Sequence, residues 1–438
     1  MLQRLFQLDR HQTTVGRELQ AGLTTFAAMA YILAVNPSVL GATGMDQGAV
    51  LTATALASSL FTALMGLAAN LPIASAPGMG INAFFAFTLC IGNGVPWQGA
   101  LGMVFYGGLL FFLVTVTGVR RQIIAAIPPA LRAAVSCGIG LFIAFIGLQK
   151  GGIVVPHPVT LVAVGRIATP AVGLVLLGLL LGAWCLGRRK PAGLLLVVVS
   201  LTLLGLAVPG RDGKPLTTLP EEGRWFSLPP SLLPVLLKVD LGYFWTHLGK
   251  CLPALFALFF VDLFDGLGTL LGLGERLKLT ATALPLDRAL RADALGATGC
   301  ALLGTSTVTP YIESAAGIEQ GGRTGLTALA TAGCFLLALF AAPLFLAIPA
   351  AATAPILILV GIAMMRSFPA IDFDDWTLAM PACLIVLLMP LAFSISEGIA
   401  AGLIAHVALR IVAGRGREVS PVLGALAALL LLHYAWRS

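Results

Sequence analysis

The sequence predicts an all-α polytopic membrane protein built from fourteen membrane segments, and three observations carry that expectation. Of its 438 residues, 58% are hydrophobic and only 10% are charged, with a mean hydropathy of +0.97; soluble domains carry about 25% charged residues. No charge occurs from Gln47 to Val119 or from Thr324 to Met365. Each of these stretches exceeds the roughly 20 residues of one crossing, so each must hold several helices. Third, dividing the apolar runs at Gly, Pro and charge gives candidate spans at 21–40, 49–70, 75–92, 97–118, 130–149, 170–187, 192–208, 251–274, 287–303, 306–320, 324–346, 350–365, 376–391 and 396–412.

Charge placement orients these spans. With the N-terminus inside, the loops after even-numbered spans hold Arg120, Arg121, Arg188, Arg189, Lys190, Arg276, Lys278, Arg288, Arg291, Arg323, Arg366, Arg415 and Arg417, whereas short odd-numbered loops hold mainly Lys150 and Arg166. This is the positive-inside bias, with both termini cytoplasmic and a bacterial cell membrane as the setting. The net charge of +7 is spread between apolar spans, which argues against nucleic-acid binding. Residues 1–20 lack a signal-peptide h-region and cleavage site and read as a cytoplasmic amphipathic lead-in. The seven cysteines lie singly without CxxC spacing, which argues against a zinc site or a disulfide framework. There is no P-loop, HExxH or GxSxG motif, so neither an ATP-driven pump nor a membrane hydrolase is expected, and no cofactor.

The long polar segment near 209–249 separates seven spans from seven. Spans 3 and 10 are the irregular ones. Ala74 to Asn82 and Thr305 to Glu313 each offer a few extended residues, then Pro or Gly, then a short helix. Interrupted segments at corresponding places in two halves point to the binding site of an inverted-repeat transporter, against the simpler reading of two kinked helices. The last segment, Pro421 to Trp436, is uncharged but short and reads as interfacial.

Ionisable residues at membrane depth are expensive unless they face a cavity, so Glu313 in span 10 reads as a substrate or proton site. Asp262 and Asp265 in span 8 stand at i and i+3, on one helical face with Thr269. Two acids at that depth favour proton uptake by at least one; Asp265 ranks first, with Asp262 hydrogen-bonded to a neighbour as the alternative. Asn82 and Glu313 fall at or just after the starts of the proposed half-helices, where free N–H groups gather. A carboxylate can accept two adjacent N–H bonds from a heterocycle, an amide can both donate and accept, and Phe84, Phe85 and Tyr311 offer rings for stacking. Asp293 reads as a cap of span 9 or a partner of Arg288 or Arg291, Glu397 as a cap of span 14, and His406 as a packed histidine or a proton relay.

Ala21 to Pro37, Ala76 to Phe85, Phe260 to Asp265, Thr305 to Gly317 and Gly321 to Gly325 together resemble the AzgA-like purine permeases, relatives of the uracil and xanthine permeases. The resemblance runs in order from about Glu18 to Arg417. It implies a 7+7 inverted repeat with short antiparallel strands in spans 3 and 10, a core domain (21–118 and 251–346), a gate domain (130–208 and 350–412), an extracytoplasmic linker (209–249) and a C-terminal segment (413–438). It implies that Asp265, Glu313 and Asn82 bind a purine nucleobase, with Thr25 and Phe26 lining the site less directly. It further implies proton-coupled import of hypoxanthine, guanine or adenine, and a homodimer through the gate domain. Two departures stand out: Thr269 occupies the place of the histidine found in uracil-type members, and Pro310 replaces the usual threonine before the span-10 tyrosine, removing a backbone donor. Alternatives are an anion transporter of the same architecture, and a channel or structural membrane subunit.

Overall fold

The structure is a computed structural model that describes residues 2–118, 127–188, 190, 192–210, 214–220, 225–279 and 284–437. Arg120, Arg121 and Arg189 of the basic-loop pattern lie outside the described residues. Among the described residues, nine helices are long and apolar enough to cross a membrane. The other five of the fourteen expected segments are also present. They are the interrupted Met79–Gly92, the shorter Gly193–Gly205 and Trp376–Leu391, the more charged Leu284–Leu303, and a strand followed by the helix Ser314–Glu319. The protein is a multi-pass membrane protein.

Helix starts follow local capping chemistry. Asp46 accepts from the Ala49 amide at 2.7 Å to open span 2, Gln47–Ala69, and the Thr169 and Ser394 hydroxyls do the same for Pro170–Gly187 and Ile395–Val412. Span 1 begins earlier than its apolar run suggests, at Val15, and Glu18 in its first turn is fully buried. Glu18 therefore belongs to the first span of the bundle, inside the 1–20 stretch read as a lead-in. Its carboxyl oxygens accept from the Arg323 and Thr324 amides at 2.9 and 3.2 Å, and from the Thr324 and Thr327 hydroxyls at 2.9 and 2.6 Å. A side chain from span 1 thus supplies the acceptors that the start of span 11, Gly325–Ala338, needs.

The two irregular segments meet. Strand β1 (Ser75–Pro77), at the entry to span 3, pairs antiparallel with the span-10 strand Val308–Pro310, with Ser75 opposite Pro310 and Pro77 opposite Val308. Proline at both ends suits so short a pair, because each missing N–H falls where the ladder stops. Span 3 then continues as Met79–Ala83 and a π-helical stretch, Phe84–Gly92. After its strand, span 10 adds a helix of only 6 residues, about 9 Å long at 1.5 Å per residue. It is a half-crossing, not a full span.

The helices pack in two groups. Spans 2, 4, 9 and 11 interlock, with spans 1 and 8 against 11 and 4, while spans 5 to 7 pack with 12 to 14. Each contact has a counterpart seven spans away. Span 4 meets span 9 as span 11 meets span 2, span 1 meets 11 as 8 meets 4, and span 5 meets 13 as 12 meets 6. That correspondence is the internal signature of a 7+7 inverted repeat. Fewer contacts cross between the groups, among them the Lys150 ammonium donating to the carbonyl and hydroxyl of Ser38 at 3.1 and 3.2 Å, and the Thr88 hydroxyl donating to the Phe393 carbonyl at 3.0 Å.

One secondary expectation changes, and two further segments are placed. Asp293 does not cap span 9: the helix starts at Leu284, so Asp293 is in its interior and buried, and Arg291 pairs instead with Asp287 at 2.9 Å. His406 is buried in span 14 with Nδ1 at 3.0 Å from the Thr377 carbonyl, as the packed-histidine reading expects, and is not among the residues lining the cavity described below. The last segment is a helix of 17 residues, Pro421–Arg437, that packs on span 14.

Candidate functional site

The strand pair is held by side chains from its surroundings. The Thr62 hydroxyl donates to the Ser75 carbonyl at 3.0 Å and accepts the Ser75 amide at 2.9 Å, the Ala74 amide donates to Ser314 Oγ at 3.0 Å, and the Tyr311 amide donates to the Ala74 carbonyl at 2.9 Å. Fixing the backbone this way satisfies irregular polar groups that lipid cannot solvate. It also aims the residues after each strand, Gly78 to Gly80 on one side and Tyr311 to Glu313 on the other, into a single space.

That space is a cavity of about 420 Å³, its open mouth included. Its walls are Gly78, Met79 and Gly80 of span 3, Asp265 and Thr269 of span 8, Thr309 to Glu313 of span 10, Tyr31 of span 1, and Val360 and Met364 of span 12. All but the last two come from one helix group, so the cavity lies where the groups face each other. Glu313 sits at the N-terminal end of its helix and accepts a hydrogen bond from the Tyr31 hydroxyl at 2.6 Å. Asp265 is half-buried, with the Thr309 hydroxyl at 3.5 Å from Oδ2. The Tyr311 hydroxyl donates back to the Pro77 carbonyl at 2.6 Å. Two acids, hydroxyls and a tyrosine ring therefore share the wall, and no basic side chain is among the described lining residues.

The other sequence candidates lie outside this wall. Asn82 is fully buried and its Oδ1 accepts from the Ser306 hydroxyl, so its acceptor is engaged by span 10 behind the cavity. Phe84 and Phe85 are fully buried in the core, and the Phe26 ring meets Phe335 edge-on at 5.1 Å, joining spans 1 and 11. Thr25 is buried where the span-10 helix crosses span 1: a Cβ on Gly317 would fall 2.1 Å from its Oγ1, so the close approach of the two segments needs glycine there. Asp262 is buried one turn before Asp265 and is not part of the cavity wall. Sequence reasoning passed over Tyr31, Thr309, Val360 and Met364. Tyr31 had a signal, as the one hydroxyl in the apolar run 26–35. Val360 and Met364 had none, being ordinary members of span 12.

The sequence matches the Permease family over residues 16–401. The chain belongs to that family. Within it, the AzgA-like branch that its motifs resemble is the one its relatives occupy. It is 40% identical to the adenine permease AdeP of Escherichia coli over 99% of this chain and 95% of that protein. It is also 40% identical to the guanine/hypoxanthine permease PbuG of Bacillus subtilis, over 98% of each chain. Among solved structures, the transmembrane domain of a cyanobacterium bicarbonate transporter, BicA, superposes with a TM-score of 0.63 at 19% identity, covering 88% of this chain and 97% of that one. That likeness is one of fold. The permease described here is accordingly a transporter and not an enzyme, and its cavity sits on the strand pair of a 7+7 inverted repeat.

Proposed function

We propose that this permease imports purine nucleobases, adenine, hypoxanthine or guanine, by proton symport. The observation that carries the reading is the meeting of Asp265 and Glu313 in one cavity with Tyr31, Thr309 and Tyr311 and with no cation among the described lining residues. A purine is flat, neutral and edged with N–H donors, which suits two carboxyl groups beside aromatic rings. An anion would be repelled there, although a bicarbonate transporter shares the fold. The names of the relatives, adenine and guanine/hypoxanthine permeases, support the same substrate class.

In this reading spans 1–4 and 8–11 form the core that holds the base, and spans 5–7 and 12–14 form the gate against which it moves. Asp265 and Glu313 exchange the coupling proton, with Asp262 one turn behind. Asn82 supports span 10 from behind the site through Ser306. Both termini are cytoplasmic, in the cell membrane, and the gate pairs two copies.

Uptake of radiolabelled adenine, hypoxanthine and guanine into cells lacking their own purine permeases tests the reading. Saturable uptake that collapses with an uncoupler, and falls at least about tenfold in Asp265→Asn and Glu313→Gln at equal protein levels, is expected. Uptake unaffected by either substitution removes those side chains from the mechanism, and wild-type uptake of bicarbonate instead of any purine refutes the proposal.

A further inference from the structure

Tyr31 stands at the break in span 1, between the helices Val15–Met29 and Ile32–Leu40. The Ala30 amide still bonds the Phe26 carbonyl at 2.7 Å, and the Tyr31 carbonyl accepts from both Ala34 and Val35. The chain is thus pinned on either side of a buried side chain that is 1% exposed. From there the hydroxyl reaches across to Glu313 Oε1 at 2.6 Å. Tyr311, the other tyrosine of the wall, has its hydroxyl engaged by Pro77. Tyr31 and Glu313 line the same cavity, so the Tyr31 hydroxyl competes for Oε1 with any ligand donor that enters it.

Bidentate recognition of two adjacent N–H groups uses both oxygens of a carboxylate. With Oε1 already accepting from Tyr31, it is the more engaged oxygen and the poorer acceptor for a ligand donor. We propose that Tyr31 is a specificity-determining residue: it competes for one of the two oxygens of Glu313 and so favours bases that present one N–H at that edge over bases that present two side by side. The inference rests on the purine reading above. Among 6-oxopurines it separates hypoxanthine, whose N1–H neighbours a C–H, from guanine, whose N1–H neighbours an amino group.

The test is a set of KM values for labelled hypoxanthine and guanine in wild type, Tyr31→Phe and Tyr31→Leu. Both substitutions remove the hydroxyl, and phenylalanine keeps the buried ring. The guanine-to-hypoxanthine KM ratio should fall by about tenfold in each variant, the size expected of one added hydrogen bond to a charged acceptor. A ratio within about twofold of wild type, or an equal rise in both KM values, overturns the assignment, since a purely structural residue would act on both bases alike. If the wild-type protein carries none of adenine, hypoxanthine and guanine, the purine reading falls, and this inference with it; if it carries adenine alone, the purine reading stands and this inference is overturned; if it carries both 6-oxopurines, only the ratio decides.

Discussion

Replacing Glu18 by alanine should destabilise this permease without touching its cavity. Four donors converge on that buried carboxyl group: the amides of Arg323 and Thr324 and the hydroxyls of Thr324 and Thr327. The Thr327 hydroxyl also lies 3.2 Å from the Glu18 backbone carbonyl, and hydroxyls can rotate to new acceptors. The two amides cannot, and a buried donor left without a partner costs about 1–3 kcal/mol. Two stranded amides plus the lost side-chain packing amount to about 4 kcal/mol. At about 2–4 °C per kcal/mol for chains smaller than this one, that corresponds to a fall in Tm of about 5–10 °C here. Glu18→Gln keeps one carbonyl acceptor and should lose about half as much. Thermal unfolding of detergent-purified protein, followed by size-exclusion fluorescence, measures both. A Tm for Glu18→Ala within about 1 °C of wild type would refute the view that this side chain holds spans 1 and 11 together.

Gly325 lies so close to span 2 that a Cβ there would fall 1.9 Å from the Gly66 carbonyl; Gly325→Ala should force the helices apart, cost about 3 kcal/mol or more, and lower the monodisperse yield. Asp375 is held down to about 2 by the Thr377 hydroxyl and amide and by Arg415, and the same Asp375 and Glu418 flank Arg410 at 3.3 and 2.5 Å. Because its folded value lies below the ordinary ~3.9, its contribution is present above that value and is lost as pH falls from there toward about 2. Tm differences between wild type and Asp375→Asn should therefore be constant from pH 8 to about pH 5, and a difference that shrinks within that window contradicts the assignment. Lys150→Met removes the tether from span 5 to Ser38 of span 1. With the other cysteines replaced, Cys90 at the end of span 3 should then react faster with a maleimide, and an unchanged rate would show that the tether does not limit separation of the two groups.

Much of this architecture was legible because lipid imposes length and apolarity on every full crossing, so runs such as 97–118 declare themselves. The strand pair was legible for a different reason. Pro77, Gly78 and Pro310 interrupt apolar segments that would otherwise be helical, and only a protein-covered cavity tolerates that. Asp265 and Glu313 were legible as acids in such segments. The direction of Asn82 was not, because in a helix of 5 residues hung from a strand the side-chain azimuth is set by pairing register and not by helical periodicity. Glu18 was grouped with the lead-in 1–20 because its acceptor role depends on amides 305 and 306 positions away. Val360 and Met364 face the cavity through packing between the helix groups, which leaves no mark on their own sequence.

The ladder between Ser75–Pro77 and Val308–Pro310 has a consequence for biosynthesis. The two edges form a sheet of only 2 strands, so the N-terminal half leaves the ribosome with an unpaired edge in its third segment, and that edge stays open until more than two hundred further residues are made. Insertion of the later half therefore completes the earlier one, and a chain truncated before residue 308 should be recognised by membrane quality control as unfinished, however many of its helices have already been threaded.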